Sequence, residues 1–185
     1  MRDFLDAETC NSWVKALEQQ PGEATGILTD QNNTRAIKVS ETRVTDRVFL
    51  GPVEKAVTKL MRKVFRDTIP SATGQQIEWF ERPQVLRYTP GSHYKLHADS
   101  ECYLRDRRVW QRTNDRDVSL LLYLNDEFSG GALEFFAFHY HYQPRRGDLV
   151  FFPSDHRYAH LAHPVTAGTR YVVVSWAACV GTPRV

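Results

Sequence analysis

The segment from Gln76 to the C-terminus predicts a succession of short strands, and this feature constrains the fold most. Apolar and aromatic runs alternate there with turn-forming residues such as Pro90, Gly91 and Gly147. We expect seven or eight strands, in "QQIEWFERPQVLRYTPGSHYKLHAD", "VSLLLYLND", "ALEFFAFHYHYQP", "GDLVFFPS" and "TAGTRYVVVSWAACV". A parallel sheet would require crossover helices between the strands, and the sequence predicts no helical segment there. The pattern therefore favours a β-sandwich or a jelly roll.

Two amphipathic helices are predicted ahead of these strands. In "DFLDAETCNSWVKALEQQPG", Asp6 is positioned to cap a helix that Pro21 and Gly22 would end. "GPVEKAVTKLMRKVFRDTIP" has apolar residues at helical spacing and basic residues on the other face. Between them, "ATGILTDQNNTRAIKVSE" predicts a turn-rich centre and then a short strand. We therefore expect an α+β protein in which the helices precede the sheets.

The composition narrows the possible partners and compartments. A length of 185 residues suits a single domain, either a complete small protein or a domain excised from a larger one. The net charge is only +2, so no nucleic acid partner is expected. No apolar run reaches transmembrane length and "MRDFLDAETC" lacks a signal-peptide core, so no membrane partner is expected. Three cysteines without a CxxC pair favour a reducing cytoplasm over a disulfide framework.

The segment "HYKLHADS" places His97 and Asp99 two positions apart in a predicted strand. Residues at that spacing point to the same face of a sheet. Such a pair is a surface pair, a hydrogen-bonded core pair or two thirds of a metal site. With a distant second histidine it would form the 2-His-1-carboxylate set typical of non-haem Fe(II) oxygenases, which leaves three coordination positions open. The downstream candidates are His139, His141, His156, His160 and His163, of which the first two lie on what reads as an edge strand and are expected to face solvent.

Arg170 opens the last predicted strand, where a buried charge needs a partner. On that strand Arg170 shares a face with Val172, Val174 and Trp176. An inward guanidinium costs free energy unless it is paired, and its planar geometry suits a carboxylate. No acidic residue of the sequence is an obvious partner. A dicarboxylate co-substrate would supply one.

Taken in order, these motifs resemble the prolyl 4-hydroxylase-like branch of the Fe(II)/2-oxoglutarate dioxygenases. The resemblance covers roughly the last hundred residues and rests on "VLRYTPGSHYKLHAD", "SLLLYLND", "EFSGGALEFF" and "RRGDLVFFPSDHRYAHLAHPVTAGTRYVVVSW". It implies a double-stranded β-helix, a jelly-roll or cupin-like fold, with the N-terminal helices packed on one sheet. The expected organisation is one domain over residues 1–185, with 1–75 as a helical support and 76–185 as the catalytic jelly-roll core.

The resemblance also implies a site. His97, Asp99 and His160 match the iron ligands, and Arg170 matches the residue that grips the distal carboxylate of 2-oxoglutarate. Tyr88 and Tyr123 match aromatic positions that line the co-substrate pocket. His163 stands where the family commonly has no histidine, so it is a bystander or a neighbour of the ligands. Glu134 is expected to face outward and receives no role.

The implied reaction is the hydroxylation of a prolyl or similar residue in a peptide or protein, with release of succinate and CO2. Its cofactors and co-substrates would be Fe(II), 2-oxoglutarate and O2, with ascorbate as a further candidate, and no catalytic residue is needed beyond the metal centre. One alternative is a hydroxylase of a free amino acid or small metabolite. Another is a non-catalytic metal-binding relative, which the complete ligand set argues against.

The segment from Ser100 to Asp117 is polar and rich in arginine, and it is expected to be a loop. It is either a solvated connection or a lid that selects the substrate, because it follows Asp99 directly. The residues expected to bind substrate are Tyr103, Trp110, Arg112 and Trp176, the last as a wall of the pocket.

Overall fold

The structure is a computed structural model that describes the backbone of residues 1–31, 34–39 and 41–185, and the side chains of residues 1–25 and 41–185. The turn-rich centre predicted within "ATGILTDQNNTRAIKVSE" falls on residues 32 and 33 and lies outside the described residues. On either side of it the chain forms a two-stranded antiparallel ribbon.

The helices and strands have the following bounds. The helices are α1 (Ala7–Glu18), α2 (Glu54–Lys63) and α3 (Ile69–Thr73), with a π-helical turn at Val64–Thr68 and 3₁₀ turns at Gly51–Val53, Phe136–Phe138 and His156–Tyr158. The strands are β1 (Gly22–Ala24), β2 (Gly26–Gln31), β3 (Thr34–Val39), β4 (Arg43–Val44), β5 (Asp46–Val48), β6 (Ile77–Phe80), β7 (Gln84–Tyr88), β8 (His93–His97), β9 (Glu101–Leu104), β10 (Val109–Arg112), β11 (Val118–Tyr123), β12 (Phe128–Gly130), β13 (Leu133–Phe135), β14 (Tyr140–Tyr142), β15 (Leu149–Pro153), β16 (His160–Ala162), β17 (Val165–Gly168) and β18 (Arg170–Cys179).

Two antiparallel sheets form the body of the fold. The larger sheet has seven strands in the order β1-β5-β7-β18-β11-β15, with β6 also paired to β18. The smaller sheet has five strands in the order β14-β13-β16-β8-β4. This arrangement confirms the predicted α+β class and jelly roll. Strands β1, β4 and β5 come from residues 1–75, so this segment contributes strands to both sheets as well as helices, which its helical patterns alone did not indicate.

The N-terminal helices pack on the larger sheet, as predicted. Asp6 caps α1, since its carboxylate accepts a hydrogen bond of 2.7 Å from the backbone N–H of Thr9. Leu17 of α1 and Met61 of α2 are fully buried in one core with Val173 of β18. Burial of each such side chain stabilises the fold by roughly 1.5–3 kcal/mol. The helices therefore seal the outer face of the larger sheet.

The inner face of the larger sheet borders a cavity between the two sheets. Because side chains alternate along a strand, β18 directs Tyr171 and Val173 to the helices and the intervening residues to the cavity. The cavity is lined from β18 by Arg170, Val172, Val174 and Trp176, which confirms that these four share a face. The site described below lies in this cavity.

The segment from Ser100 to Asp117 was wrongly expected to be a loop. It contains a hairpin of β9 and β10, in which Trp110 lies opposite Tyr103. The arginines of the segment obscured the strand pattern, and the two aromatic rings, 5.4 Å apart, pair across the hairpin. Among the described residues, no helix is both long and apolar enough to cross a lipid bilayer.

Candidate active site

Three potential metal ligands converge at one end of the smaller sheet. His97 is the last residue of β8, Asp99 follows it by two positions, and His160 is the first residue of β16, directly opposite His97. His97 Nε2 lies 3.6 Å from Asp99 Oδ1, and His160 Nε2 lies 3.8 Å from Asp99 Oδ2. One ligand atom from each of the three lies within 4.8 Å of the others. His97 and Asp99 therefore lie on the same side of the sheet, as the sequence predicts, although Asp99 lies just beyond the end of β8.

Each histidine is held by its other ring nitrogen. His97 Nδ1 donates to the Lys95 carbonyl at 2.8 Å, and His160 Nδ1 donates to the Tyr158 carbonyl at 3.1 Å. Because a carbonyl can only accept, each Nδ1 carries a hydrogen, and each Nε2 faces Asp99 at the centre of the site. This is the arrangement that orients imidazoles toward a metal ion.

Asp99 is held as an anion. The Ser119 hydroxyl donates to Asp99 Oδ2 at 2.6 Å, and Ser154 Oγ lies 2.7 Å from Ser119 Oγ. Burial alone would raise the pKa of Asp99, but the nearby His160 and His97 imidazoles and the Ser119 hydroxyl hold that pKa well below its ordinary value. A carboxylate that stays ionised in a buried position is a ready ligand for a hard or borderline cation.

His160 is held neutral. Burial, together with repulsion from His97, lowers the pKa of His160 to about 4 although Asp99 acts in the opposite direction. At neutral pH the ring therefore keeps the lone pair that metal binding needs.

Arg170 lies in the same cavity without a carboxylate partner. The residue is 2 % exposed, and its guanidinium stacks on the Tyr88 ring at 3.9 Å from the ring centroid. It donates to the Gly131 carbonyl, while its Nε has no hydrogen-bond partner. Among the side chains that the structure describes, none forms an ion pair with Arg170. A buried cation with an unused donor fits an anionic ligand entering the cavity.

The two tyrosines expected near the co-substrate both line this cavity. Tyr88 is opposite Arg170 on β7, and Tyr123 is opposite Val172 on β11. Burial raises the pKa of the Tyr123 phenol above its ordinary value, so the group stays protonated. Both rings therefore line the same cavity as Arg170.

Sequence reasoning missed Tyr94 and Arg43. Tyr94 stacks on the His97 ring with centroids 3.5 Å apart, and the Arg43 guanidinium lies 5.0 Å from the Tyr94 ring centroid. A strict two-residue alternation would put Tyr94 and His97 on opposite faces. A β-bulge in β8, with two residues between them against only Leu161 on β16, brings both rings inward. Both missed residues line the cavity.

The four residues expected to bind substrate separate into two groups. Trp176 lines the cavity, and the Arg116 guanidinium covers its ring at 3.9 Å. The other three lie in the hairpin and are absent from the cavity lining. Arg112 is paired with an acid, since its Nη1 donates to Asp117 Oδ1 at 2.9 Å. Tyr103 and Trp110 instead have exposed rings, and the Trp110 ring stacks on His156.

The remaining histidines of the downstream set have other partners. His156 Nδ1 lies 2.6 Å from Glu101 Oε2, and the His156 ring stacks on Trp110. His163 Nε2 lies 2.8 Å from Glu134 Oε2, outside the cavity. His141 lies on the edge strand β14, as expected, whereas His139 precedes it in a left-handed turn with φ of 50°. Of the five candidates, only His160 faces His97 and Asp99.

Comparison with known proteins matches this chain to one enzyme family. The sequence profile described as the 2OG-Fe(II) oxygenase superfamily matches residues 83–178. Prolyl 4-hydroxylase 1 of Arabidopsis thaliana is 26 % identical over 200 residues, covering 95 % of this chain and 66 % of that protein. This chain spans 27–66 % of the length of curated relatives that it matches.

Two solved structures share the fold. One is the viral collagen prolyl hydroxylase of Paramecium Bursaria Chlorella virus-1 in complex with 2OG, with a TM-score of 0.69, 21 % identity and coverage of 96 % of this chain and 94 % of that chain. The other is a prolyl hydroxylase from Trichoplax adhaerens in complex with a peptide fragment of hypoxia inducible factor, with a TM-score of 0.72, 20 % identity and coverage of 96 % and 81 %.

Proposed function

The chain belongs to the 2OG-Fe(II) oxygenase superfamily, and from this membership we propose that it hydroxylates prolyl residues in a peptide or protein substrate. The family implies Fe(II), 2-oxoglutarate and O2. We further propose that residues 1–185 act as one domain, in which His97, Asp99 and His160 hold the iron. The observation that carries most weight is that Arg170, which is buried and has no carboxylate partner among the described residues, lines the same cavity as these three side chains.

The donor set fits the group that the family implies. Two imidazoles and one carboxylate are a ligand set that suits Fe(II), and both imidazoles already present Nε2 to the centre. Iron bound there with 2-oxoglutarate and O2 supplies the oxidising power that adds one oxygen atom to a substrate C–H bond and yields succinate and CO2. The protein contributes ligand orientation, charge and a site shielded from water.

Arg170 is proposed to bind the distal carboxylate of 2-oxoglutarate. Its charge would pair with the co-substrate, and Tyr88 and Tyr123 would contact the chain between the two carboxylates. Leu86, Leu121, Val172 and Val174 give the cavity apolar walls. Such walls exclude water, so the ion pair gains strength from the low local dielectric constant.

A peptide substrate is favoured by the position of the hairpin β9–β10. Trp110 stacks on His156 with ring centroids 5.1 Å apart, and His156 lies four positions before His160 in the sequence. Glu101, two positions after Asp99, accepts from the backbone N–H of His156 at 2.7 Å. The hairpin thus joins both ligand-bearing segments and presents Trp110 and Tyr103 to solvent. Exposed aromatic rings can pack on a pyrrolidine ring, and the strand edge offers backbone hydrogen bonds.

A test is to present the Fe(II)-loaded protein with a proline-containing peptide library and, separately, with the free amino acids. We expect peptides to stimulate succinate formation and to gain the mass of one oxygen atom at proline. Hydroxylation of a free amino acid in place of the peptides would transfer the activity to small metabolites. Absence of any 2-oxoglutarate turnover would contradict the enzyme assignment itself.

The cytoplasmic location inferred from the cysteines stays a proposal. Cys10, Cys102 and Cys179 are all free thiols in the structure, and burial raises the pKa of Cys10 to about 11. Free thiols of this kind persist in a reducing compartment. Fractionation of cells that produce the protein would test the location.

A further inference from the structure

A second group of metal-binding side chains lies on the outer face of the smaller sheet. Glu134 on β13 is directly opposite His141 on β14, and His163 follows β16 on the other side of β13. The backbone N–H of His163 donates to the Ala132 carbonyl at 2.8 Å, which fixes this residue beside β13. Three strands therefore bring one carboxylate and two imidazoles to one place.

The distances in this group resemble those of the iron-site candidates. His163 Nε2 lies 2.8 Å from Glu134 Oε2, and His141 Nε2 lies 3.7 Å from Glu134 Oε1. The two imidazole rings are 5.6 Å apart and inclined by only 25°. One ligand atom from each residue lies within 4.8 Å of the others.

Hydrogen bonding explains the position of His163 beside Glu134 but not that of His141. The His163–Glu134 contact is a normal hydrogen bond, but a separation of 3.7 Å is too long for one. Ligand atoms that each bind zinc at roughly 2.0–2.2 Å are separated by about 3–3.5 Å. Small side-chain movements would therefore let both Nε2 atoms and the carboxylate share one ion.

We propose that Glu134, His141 and His163 form a second binding site, for a divalent zinc-like cation. Nitrogen and carboxylate ligands suit Zn²⁺, and water would complete its coordination. Glu134 is only 15 % exposed at its side chain, whereas His141 is 60 % exposed, so the ion would enter from solvent on the side of β14. This site is separate from the cavity, which it does not line.

The bound ion would fasten the edge of the smaller sheet. β14 is the terminal strand of that sheet and has only three residues. An ion shared by β14, β13 and the segment after β16 would link the edge strand to the strand that begins with His160. Its role is thus structural and does not depend on the reaction proposed for the cavity.

The test is zinc stoichiometry, measured by equilibrium dialysis of tag-free, chelator-treated protein followed by elemental analysis. The wild-type protein should bind two zinc ions, and His97→Ala should retain the outer one. His141→Ala should retain the inner zinc ion, and its affinity for zinc at the outer site should fall at least about tenfold. Even residues that only hydrogen-bond to a metal ligand change the metal affinity by that factor. His139→Asn is a matched control, because asparagine tolerates the left-handed backbone of this neighbouring histidine.

The decisive comparison is between the variants. One ion in the wild-type protein that His141→Ala does not affect would overturn the proposal, as would two ions in both proteins. Circular dichroism checks that His141→Ala is folded, and Glu134→Gln provides a second variant that preserves side-chain size. A Glu134→Gln protein that still binds two ions would equally overturn the proposal.

Discussion

Arg170 illustrates how much a single buried charge can reveal. Its guanidinium is sequestered from water, and its compensating contacts are the Tyr88 ring and the Gly131 carbonyl. A cation in such surroundings costs several kcal/mol unless an anion joins it. The sequence predicted this need from the position of Arg170 on an apolar strand. The stacking on Tyr88 could not be predicted, because it depends on the register between β7 and β18.

His160 gives a pH-dependence that is specific to the metal-free protein. The pKa of His160 is about 4 in the folded protein, against an ordinary value of 6.5 that applies to the unfolded chain. Between these two pH values the unfolded chain therefore binds more protons than the folded protein. The free energy of unfolding should therefore fall as the pH drops from 6.5 toward 4, by up to about 1.4 kcal/mol per pH unit. Asp99, with its lowered pKa, acts in the same direction at still lower pH.

Urea denaturation of chelator-treated protein across this range measures the effect. His160→Gln should flatten the dependence between about pH 4 and pH 6.5, whereas His139→Asn should leave it as in the wild-type protein. An equal slope in wild-type and His160→Gln protein would mean that the ring is protonated in the folded state.

At the scale of elements, the hairpin β9–β10 and the bulge in β8 were the features that the sequence concealed. Arginines dominate the hairpin, so its alternating pattern is weak, and its stability comes from cross-strand pairing and from Trp110 on His156. The bulge has no composition signature, because neither Lys95 nor Leu96 differs from an ordinary strand residue. By contrast, helix α1 was predictable from local signals, the Asp6 cap above all.

The hairpin prediction concerns substrate selection. Trp110→Ala should reduce hydroxylation of a peptide substrate while leaving succinate formation without substrate nearly intact, because Trp110 lies outside the cavity lining. Trp79→Ala is the matched control, since Trp79 is 37 % exposed against 39 % for Trp110 and lies on β6. Equal loss of both reactions in Trp110→Ala would assign the residue to folding, and no loss of either would leave the hairpin without a role.

At the scale of the whole molecule, the site exists because two sheets face each other. The ordered strand pattern was enough to predict the jelly roll, since few folds accommodate helices followed by many short strands. It was not enough to predict that β4 and β5, from the N-terminal segment, extend the two sheets. Arg43 of β4 reaches the cavity only through that long-range pairing, and such contacts are not encoded in local sequence.

The same arrangement places the two ends of the cavity on different sheets. His97, Asp99 and His160 belong to the smaller sheet and its end, whereas Arg170 belongs to the larger sheet. We propose that 2-oxoglutarate bridges the two sheets, with one end at the metal and the other at Arg170. A ligand that bridges two sheets must lose affinity when either end is removed.

Anaerobic calorimetric titration of 2-oxoglutarate into the Fe(II)-loaded protein measures this bridging. We expect one molecule to bind per chain. Binding should be abolished in Asp99→Ala and in metal-free protein, and weakened by roughly 2–5 kcal/mol in Arg170→Ala, which keeps its iron. His139→Asn should bind as the wild-type protein does. Unchanged affinity in Arg170→Ala, or full binding without the metal, would show that 2-oxoglutarate does not bridge the metal and Arg170.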